Sequence, residues 1–208
     1  MILTNNPVEN YKRLKHTMTH SMYGQTLSNI PEIDKMCMTF IINHNKRVND
    51  NDIVFHIGDF GYYGYADLLK GNHVLIMGNY EYQECKEKYD NDIEKFREDI
   101  INRFNFIDVI EKYTIDVTAL PIFKNIGSIL LTHEPMNCIY DRENNKYIYD
   151  QNDFIIMNLF GHIHEKCKIK RYGLNVGVDS NHYYPVSYDD VVFYFNTILN
   201  YYDENVFE

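Results

Sequence analysis

The chain has no tryptophan, only four cysteines, and fewer basic than acidic side chains. Each shortage narrows the possibilities. No run approaches the roughly 18 apolar residues of a membrane span, so no membrane association is expected. Cys37, Cys85, Cys138 and Cys167 form no CxxC pair and no regular framework, and read as reduced thiols in a cytoplasmic protein. The N-terminal stretch MILTNNPVENYKRLK lacks a basic segment followed by an apolar one, so no secretion signal is expected there. Lys and Arg total 20 against 30 Asp and Glu, a formal net charge of −10. That balance disfavours a broad grip on duplex nucleic acid. A small anionic substrate stays possible, because bound divalent cations reverse the local sign of a pocket. The 19 tyrosines and 12 phenylalanines beside no tryptophan suggest an AT-rich coding sequence and carry no functional weight.

No repeat, low-complexity tract or Pro/Gly/Ser linker interrupts the 208 residues, so one domain over 1–208 is expected, with 1–13 a loose N-terminal arm. A short first strand is expected at Leu14–Thr19. Ile33, Met36, Cys37, Phe40, Ile41 and His44 recur at helical spacing through Lys46, with Pro31 and Glu32 in the first turn and Ser28 as cap. The apolar run Ile53–Ile57, bounded by Asp52 and Gly58, reads as a buried parallel strand, and Val74–Met77 as a second. Tyr65–Leu69 suits a short helix, and Asp90–Phe104 is amphipathic. A hairpin is expected from Val117–Phe123 and Ser128–Thr132, then strands at Phe154–Phe160 and Gly173–Val178. Ser187 with Asp190 forms a capping-box pattern that opens a last helix through Leu199. Helices dominate the first half and strands the second, which suggests two packed sheets with helices outside.

Four segments share one design: an apolar strand runs into a turn that displays metal-binding side chains. They are IVFHIGDFG with Asp59, VLIMGNYE with Asn79, ILLTHEP with His133, and NLFGHIHEK with His162 and His164. Open α/β sheets place their sites outside the carboxyl ends of strands, where side chains from several turns converge. A carboxylate can bridge two cations, while imidazoles and an amide oxygen complete each shell without overcharging it. Two such cations about 3.5–4 Å apart can clamp and polarise a phosphate. At the end of a strand, His162 and His164 share one side of the pleat and reach adjacent positions.

In order, the chain carries MTH (18–20), GDFG (58–61), GNYE (78–81), THEP (132–135) and GHIH (161–164), with the tail NVGVDSNHYYPVS (175–187). This series resembles the calcineurin-like metallophosphoesterase superfamily, especially its small bacterial and phage members, whose motifs run DxH, GDxG, GNH(D/E), a lone His and GHxH. The resemblance spans roughly residues 16–190. It implies a four-layer α/β/β/α sandwich of two mixed sheets flanked by helices. It implies one or two divalent ions, Mn²⁺ foremost, with Fe²⁺, Zn²⁺ or Ni²⁺ as alternatives. By the same resemblance Asp59 bridges the ions, His20 and His164 serve the first, and Asn79, His133 and His162 serve the second. Asp59, His164 and Tyr80 are the residues expected to take part in catalysis.

Two positions depart from the pattern. The Asp of the first motif is replaced by Met18, a side chain that is no hard oxygen ligand, and His16 sits roughly 6.6 Å too far back along a strand to replace it. The His of GNH is replaced by Tyr80, whose phenol is a slower proton donor than imidazole. Glu81 is expected to orient Tyr80 or a water. Gln25, in Tyr23-Gly24-Gln25, stands where small members carry a substrate-contacting His.

Other conspicuous residues have plain readings beside functional ones. His56 reads as a core residue, His44 and His73 as structural or solvated, with His73 in a turn. His182 and Asp179 are candidates for supporting the site, with loop packing the simpler reading. Tyr62, Tyr63 and Tyr65 suit either a nucleobase platform or packing. The acidic cluster Glu84–Glu87 reads as a solvated face. Arg142 and Lys166 follow expected site loops and are candidate phosphate contacts.

The function implied is a metal-dependent phosphoesterase, a phosphodiesterase on a nucleotide-like or small phosphoester substrate, acting by metal-hydroxide attack. The alternative is a catalytically degenerate member serving as a binding or scaffold module for a protein partner. A nuclease on polymeric nucleic acid is disfavoured by charge.

Overall fold

The computed structural model describes residues 31–117, 127–135, 139–141, 146–148, 155–171 and 173–203. Met18, His20, Tyr23, Gln25, Arg142 and the expected strand at Leu14–Thr19 lie outside them.

Helix α1 (Pro31–Arg47) leads into strand β1 (Ile53–Ile57), a 3-10 turn (Tyr63–Leu68) and strand β2 (Asn72–Ile76). Helices α2 (Asn79–Tyr89) and α3 (Ile93–Arg103) follow, then β3 (Phe106–Ile110) and β4 (Tyr113–Asp116). The second half contributes β5 (Ser128–Leu131), β6 (Ile139–Asp141), β7 (Lys146–Ile148), β8 (Ile155–Phe160), β9 (Ile169–Lys170), β10 (Gly173–Asn175) and α4 (Tyr188–Tyr201).

Among the described residues, two main sheets result. One is parallel, in the order β1-β2-β3; the other is mixed, in the order β4-β5-β8-β10-β9. The hairpin strands β6 and β7 pair separately. Strand alternation explains how the sheets meet. Phe55, Ile57, Ile76 and Ile110 of the first sheet join Ile129, Leu131, Met157, Leu159 and Leu174 of the second in one apolar cluster, which Val191 and Phe195 of α4 complete. Leu75, Phe106 and Val109 point to the other face, where Phe96 and Ile100 of α3 and Cys85 of α2 cover them. The two sheets with helices outside are the architecture the motifs implied.

Several boundaries differ from expectation. The antiparallel partner of β5 is Tyr113–Asp116, with Asp116 opposite Ser128. The hairpin therefore forms, but its first strand lies upstream of Val117; residues 118–126 lie outside the described residues. Strand β2 begins at Asn72, which places His73 in the sheet, fully buried, and not in a turn. Strand β1 is only half buried, with Ile53 exposed; among the described residues it stands at the edge of its sheet. Strand β10 ends at Asn175, where a 3-10 turn (Val178–Asn181) takes over. Helix α2 and strand β3 were not expected at all. Their sequences are dense in charge (NYEYQECKEKY) or short (FIDVI), and neither shows a clear period.

Candidate metal centre

The site forms where β1, β2, β5 and β8 run out at one end of the two sheets. After β1 the chain turns through Gly58, at φ 74°, into Asp59, at φ 52°. A side chain on Gly58 would collide with the ring of His133, and one on Gly78 would meet the backbone nitrogen and carboxylate of Asp59. The β1 and β2 turns therefore touch, and only glycine permits it.

Three donor groups meet there. Among the described residues, ligand atoms of Asp59, His133 and His162 all lie within 4.8 Å of one another. His133 Nε2 is 3.2 Å from Asp59 Oδ2 and 3.2 Å from His162 Nδ1. The other ring nitrogen of His133 donates to the carbonyl of Ile57 at 2.9 Å. In the neutral ring that bond leaves Nε2 bare, its lone pair aimed at a carboxylate oxygen and at a second imidazole. Lone pairs collected at such spacing repel one another unless a cation lies among them. Donors about 2.1 Å from a common ion would themselves be about 3.0–3.4 Å apart, which matches the 3.2 Å between His133 Nε2 and each of its two neighbours. The donor set thus fits a divalent ion.

Asn79, the first residue of α2, joins the group by donating from Nδ2 to His162 Nδ1 at 3.3 Å. Its amide must turn over to offer oxygen to a metal. Tyr80 is 54% exposed at the rim, and its backbone N–H donates to Asp59 Oδ1 at 3.0 Å. Four residues singled out from the sequence therefore converge: Asp59, Asn79, His133 and His162.

His164 stands apart. The strand ends at Phe160, and both His162 (φ 61°) and His164 (φ 51°) are left-handed, so no shared pleat aims their rings together. His164 instead donates from Nδ1 to Asp179 Oδ2 at 2.7 Å. A carboxylate on the far nitrogen of a histidine is the usual device that fixes its tautomer for metal binding. His20 lies outside the described residues. Left-handed non-glycine backbone recurs at the site, at Asp59, His162 and His164. Such strain tends to gather where function constrains the chain.

Sequence reasoning missed or misassigned three supporting residues. Glu81 does not orient Tyr80: its carboxylate, 0% exposed, accepts backbone N–H bonds from Gly78, Asp59 and Phe60. Burial pushes its pKa upward, against the pull of those three bonds. Its position three residues after Gly78 was the available signal, since that is where an acidic side chain reaches back to a helix start. Asp179, for which loop packing was the simpler reading, is the partner of His164. Buried Asn175 donates to the carbonyls of His164 and Cys167 and to Ser180 Oγ, and accepts from the Gly177 N–H, tying the two loops together. An Asn in an apolar strand was its only mark.

The remaining candidates resolve toward packing. Tyr63 is buried against Phe104 and Phe106 and donates to Glu84, so the Glu84–Glu87 segment is not wholly a solvated face. Tyr62 and Tyr65 meet edge to face and pack near Ile41 and Leu68. His56 is hydrogen-bonded to His73, and Lys166 is exposed in the turn after His164.

A parallel β-sheet facing a mixed one, with Asp, Asn and His at the strand ends, defines a metallophosphoesterase architecture. The chain belongs to the calcineurin-like phosphoesterase family, whose sequence pattern matches residues 28–166. No curated protein matches it. Among solved structures it resembles a protein of unknown function, AQ665, from Aquifex aeolicus, with a TM-score of 0.50 and 21% identity over 83% of this chain and 93% of that one. That likeness concerns the fold alone. Among the described residues no helix is long and apolar enough to cross a membrane.

Proposed function

We propose that this protein is a metal-dependent phosphodiesterase acting on a nucleotide-like or other small phosphoester. The observation that carries the reading is the gathering of ligand atoms of Asp59, His133 and His162 within 4.8 Å of one another. Asp59, Asn79, His133 and His162 would hold one divalent ion, Mn²⁺ foremost. His20 and His164 would contribute to a second beside Asp59. Bound there, such ions supply Lewis-acid polarisation of a phosphoryl group and a water nucleophile usable at neutral pH. The chain's own residues do the rest. His133, locked by Ile57, and Asp59, held by Tyr80 N–H, keep the donors in place before substrate arrives. Exposed Tyr80, beside Asp59, would give a proton to a departing oxygen. A phenol is a weaker acid than an imidazolium, so substrates with good leaving groups are favoured. The four cysteines, spaced without a CxxC pair, favour a reducing, cytoplasmic setting.

Tyr80 and Met18, in place of the family's His and Asp, favour a second reading: a degenerate member that binds a phosphorylated ligand or a protein without cutting. The two separate by metal content and hydrolysis of an activated phosphodiester with Mn²⁺. The natural protein is compared with Met18→Asp, Tyr80→His and the double variant, and with Asp59→Ala and His162→Ala. Turnover by the natural protein that vanishes in the last two is the expected result. An inert natural protein that gains turnover on restoration would establish the binding module instead.

A further inference from the structure

We infer that Glu81 is a positioning residue for the cation site, a buried carboxylate bracket that holds the β1 and β2 turns together and fixes the backbone from which Asp59 reaches the ion. This rests on the metal-site reading above. Glu81 Oε2 accepts the N–H of Asp59 at 2.8 Å and of Gly78 at 2.8 Å, while Oε1 accepts the N–H of Phe60 at 3.0 Å. One carboxylate thus spans two turns that are 21 and 22 residues away in one case and three in the other.

The geometry excludes two other roles. A side chain with 0% exposure and three backbone donors on its oxygens has no route to solvent and no free face toward a substrate, so it does not shuttle protons. Nor is it simply a helix cap. Only the bond to Gly78 N–H serves the start of α2, while the other two hold the segment that carries Asp59. That segment needs holding, because Asp59 adopts a left-handed conformation that a non-glycine residue rarely takes without support. The carboxylate of Asp59 in turn accepts the N–H of Tyr80, so each turn grips the other: Glu81 binds the Asp59 backbone, and Asp59 binds the backbone one residue before Glu81.

An amide cannot substitute for this carboxylate. In Glu81→Gln the side-chain NH₂ faces backbone N–H donors, replacing at least one attraction by a repulsion while keeping the shape. The test uses the full-length protein. Mn²⁺ affinity is measured by calorimetric titration, and amide exchange of the peptide covering Gly58–Phe60 and of Gly78 is followed on metal-free protein. Asp59→Asn serves as the control for the site itself. Glu81→Gln should weaken Mn²⁺ binding by about 10–100-fold, the range typical of groups that support ligands, and should speed amide exchange at both turns. Glu81→Asp, which keeps the charge but is shorter, is read the same way should the Gln variant fail to fold, with a smaller loss in both measurements. Unchanged affinity, or weakened affinity with exchange unchanged, overturns the bracket. If Asp59→Asn still abolishes binding in that case, the metal site stands without it. A natural protein that binds no Mn²⁺ overturns both.

Discussion

His133 uses its two ring nitrogens for different ends: one secures the ring to the Ile57 carbonyl and the other faces Asp59 and His162. His164 is arranged the same way, with Asp179 in place of the carbonyl. The His164–Asp179 pair is exposed, with side-chain accessibilities of 77% and 34%, so it contributes at most about 1 kcal/mol to folding. Its value lies in orienting an imidazole. Asp179→Asn should therefore leave the melting temperature nearly unchanged while lowering hydrolysis of an activated phosphodiester by about 10–100-fold. A shift in melting temperature with activity intact would show the pair to be structural. From sequence, His162 and His164 looked equivalent, since spacing alone cannot report a left-handed turn between them.

Local signals served best for the elements that carry their own caps. Helix α4 starts at Tyr188 behind Ser187, whose Oγ accepts the Asp190 N–H at 3.2 Å while Asp190 Oδ2 accepts the Ser187 N–H at 2.9 Å. Asp190 also receives Arg47 from the end of α1 at 3.0 Å, so this cap joins two elements far apart in sequence. Ser187→Ala removes one acceptor and should cost about 1 kcal/mol in urea unfolding, with metal binding unaffected. In α3, Phe96 is fully buried and packs edge to face with Tyr89 of α2 at 5.4 Å. Phe96→Ala should cost about 3–5 kcal/mol, the largest loss among these variants, measured in the same unfolding series. The amphipathic period of α3 was legible because one face of it is buried. Helix α2 was not, because its charge-dense sequence shows no clear apolar period.

At the scale of the molecule, two buried histidines, His44 and His73, and the half-buried His56 link α1 to the first sheet. His44 donates to the Lys70 carbonyl at 2.8 Å, and His73 Nε2 donates to the Leu69 carbonyl at 3.3 Å. That leaves His73 Nδ1 to accept from His56 Nε2 at 2.9 Å. The network requires His73 to be neutral, because its Nδ1 accepts, and burial lowers the pKa of all three rings, His56 most of all. The unfolded chain takes up protons on these histidines near pH 6.5, while the folded chain resists. Stability is therefore fully present above that value. It declines as pH falls below it, by up to about 1.4 kcal/mol per pH unit for each histidine, until the depressed folded values are reached. Urea midpoints at pH 7.5 and 5.5 should differ in this direction, and His73→Gln should reduce the difference. Equal midpoints would contradict the neutral network.

The sequence alone determined which segments end in donor-bearing turns, because a short apolar run followed by glycine and a polar side chain is a local pattern set by neighbours in the chain. That sufficed to name Asp59, Asn79, His133 and His162, and to expect two sheets with helices outside. Only the tertiary structure decided how the acidic groups divide their work. Glu81 and Asp59 are 22 residues apart, and His164 and Asp179 are 15 apart. Whether a carboxylate meets backbone amides, an imidazole or a cation depends on what distant segments bring to it and on whether water is excluded there. Residue type and spacing carry neither.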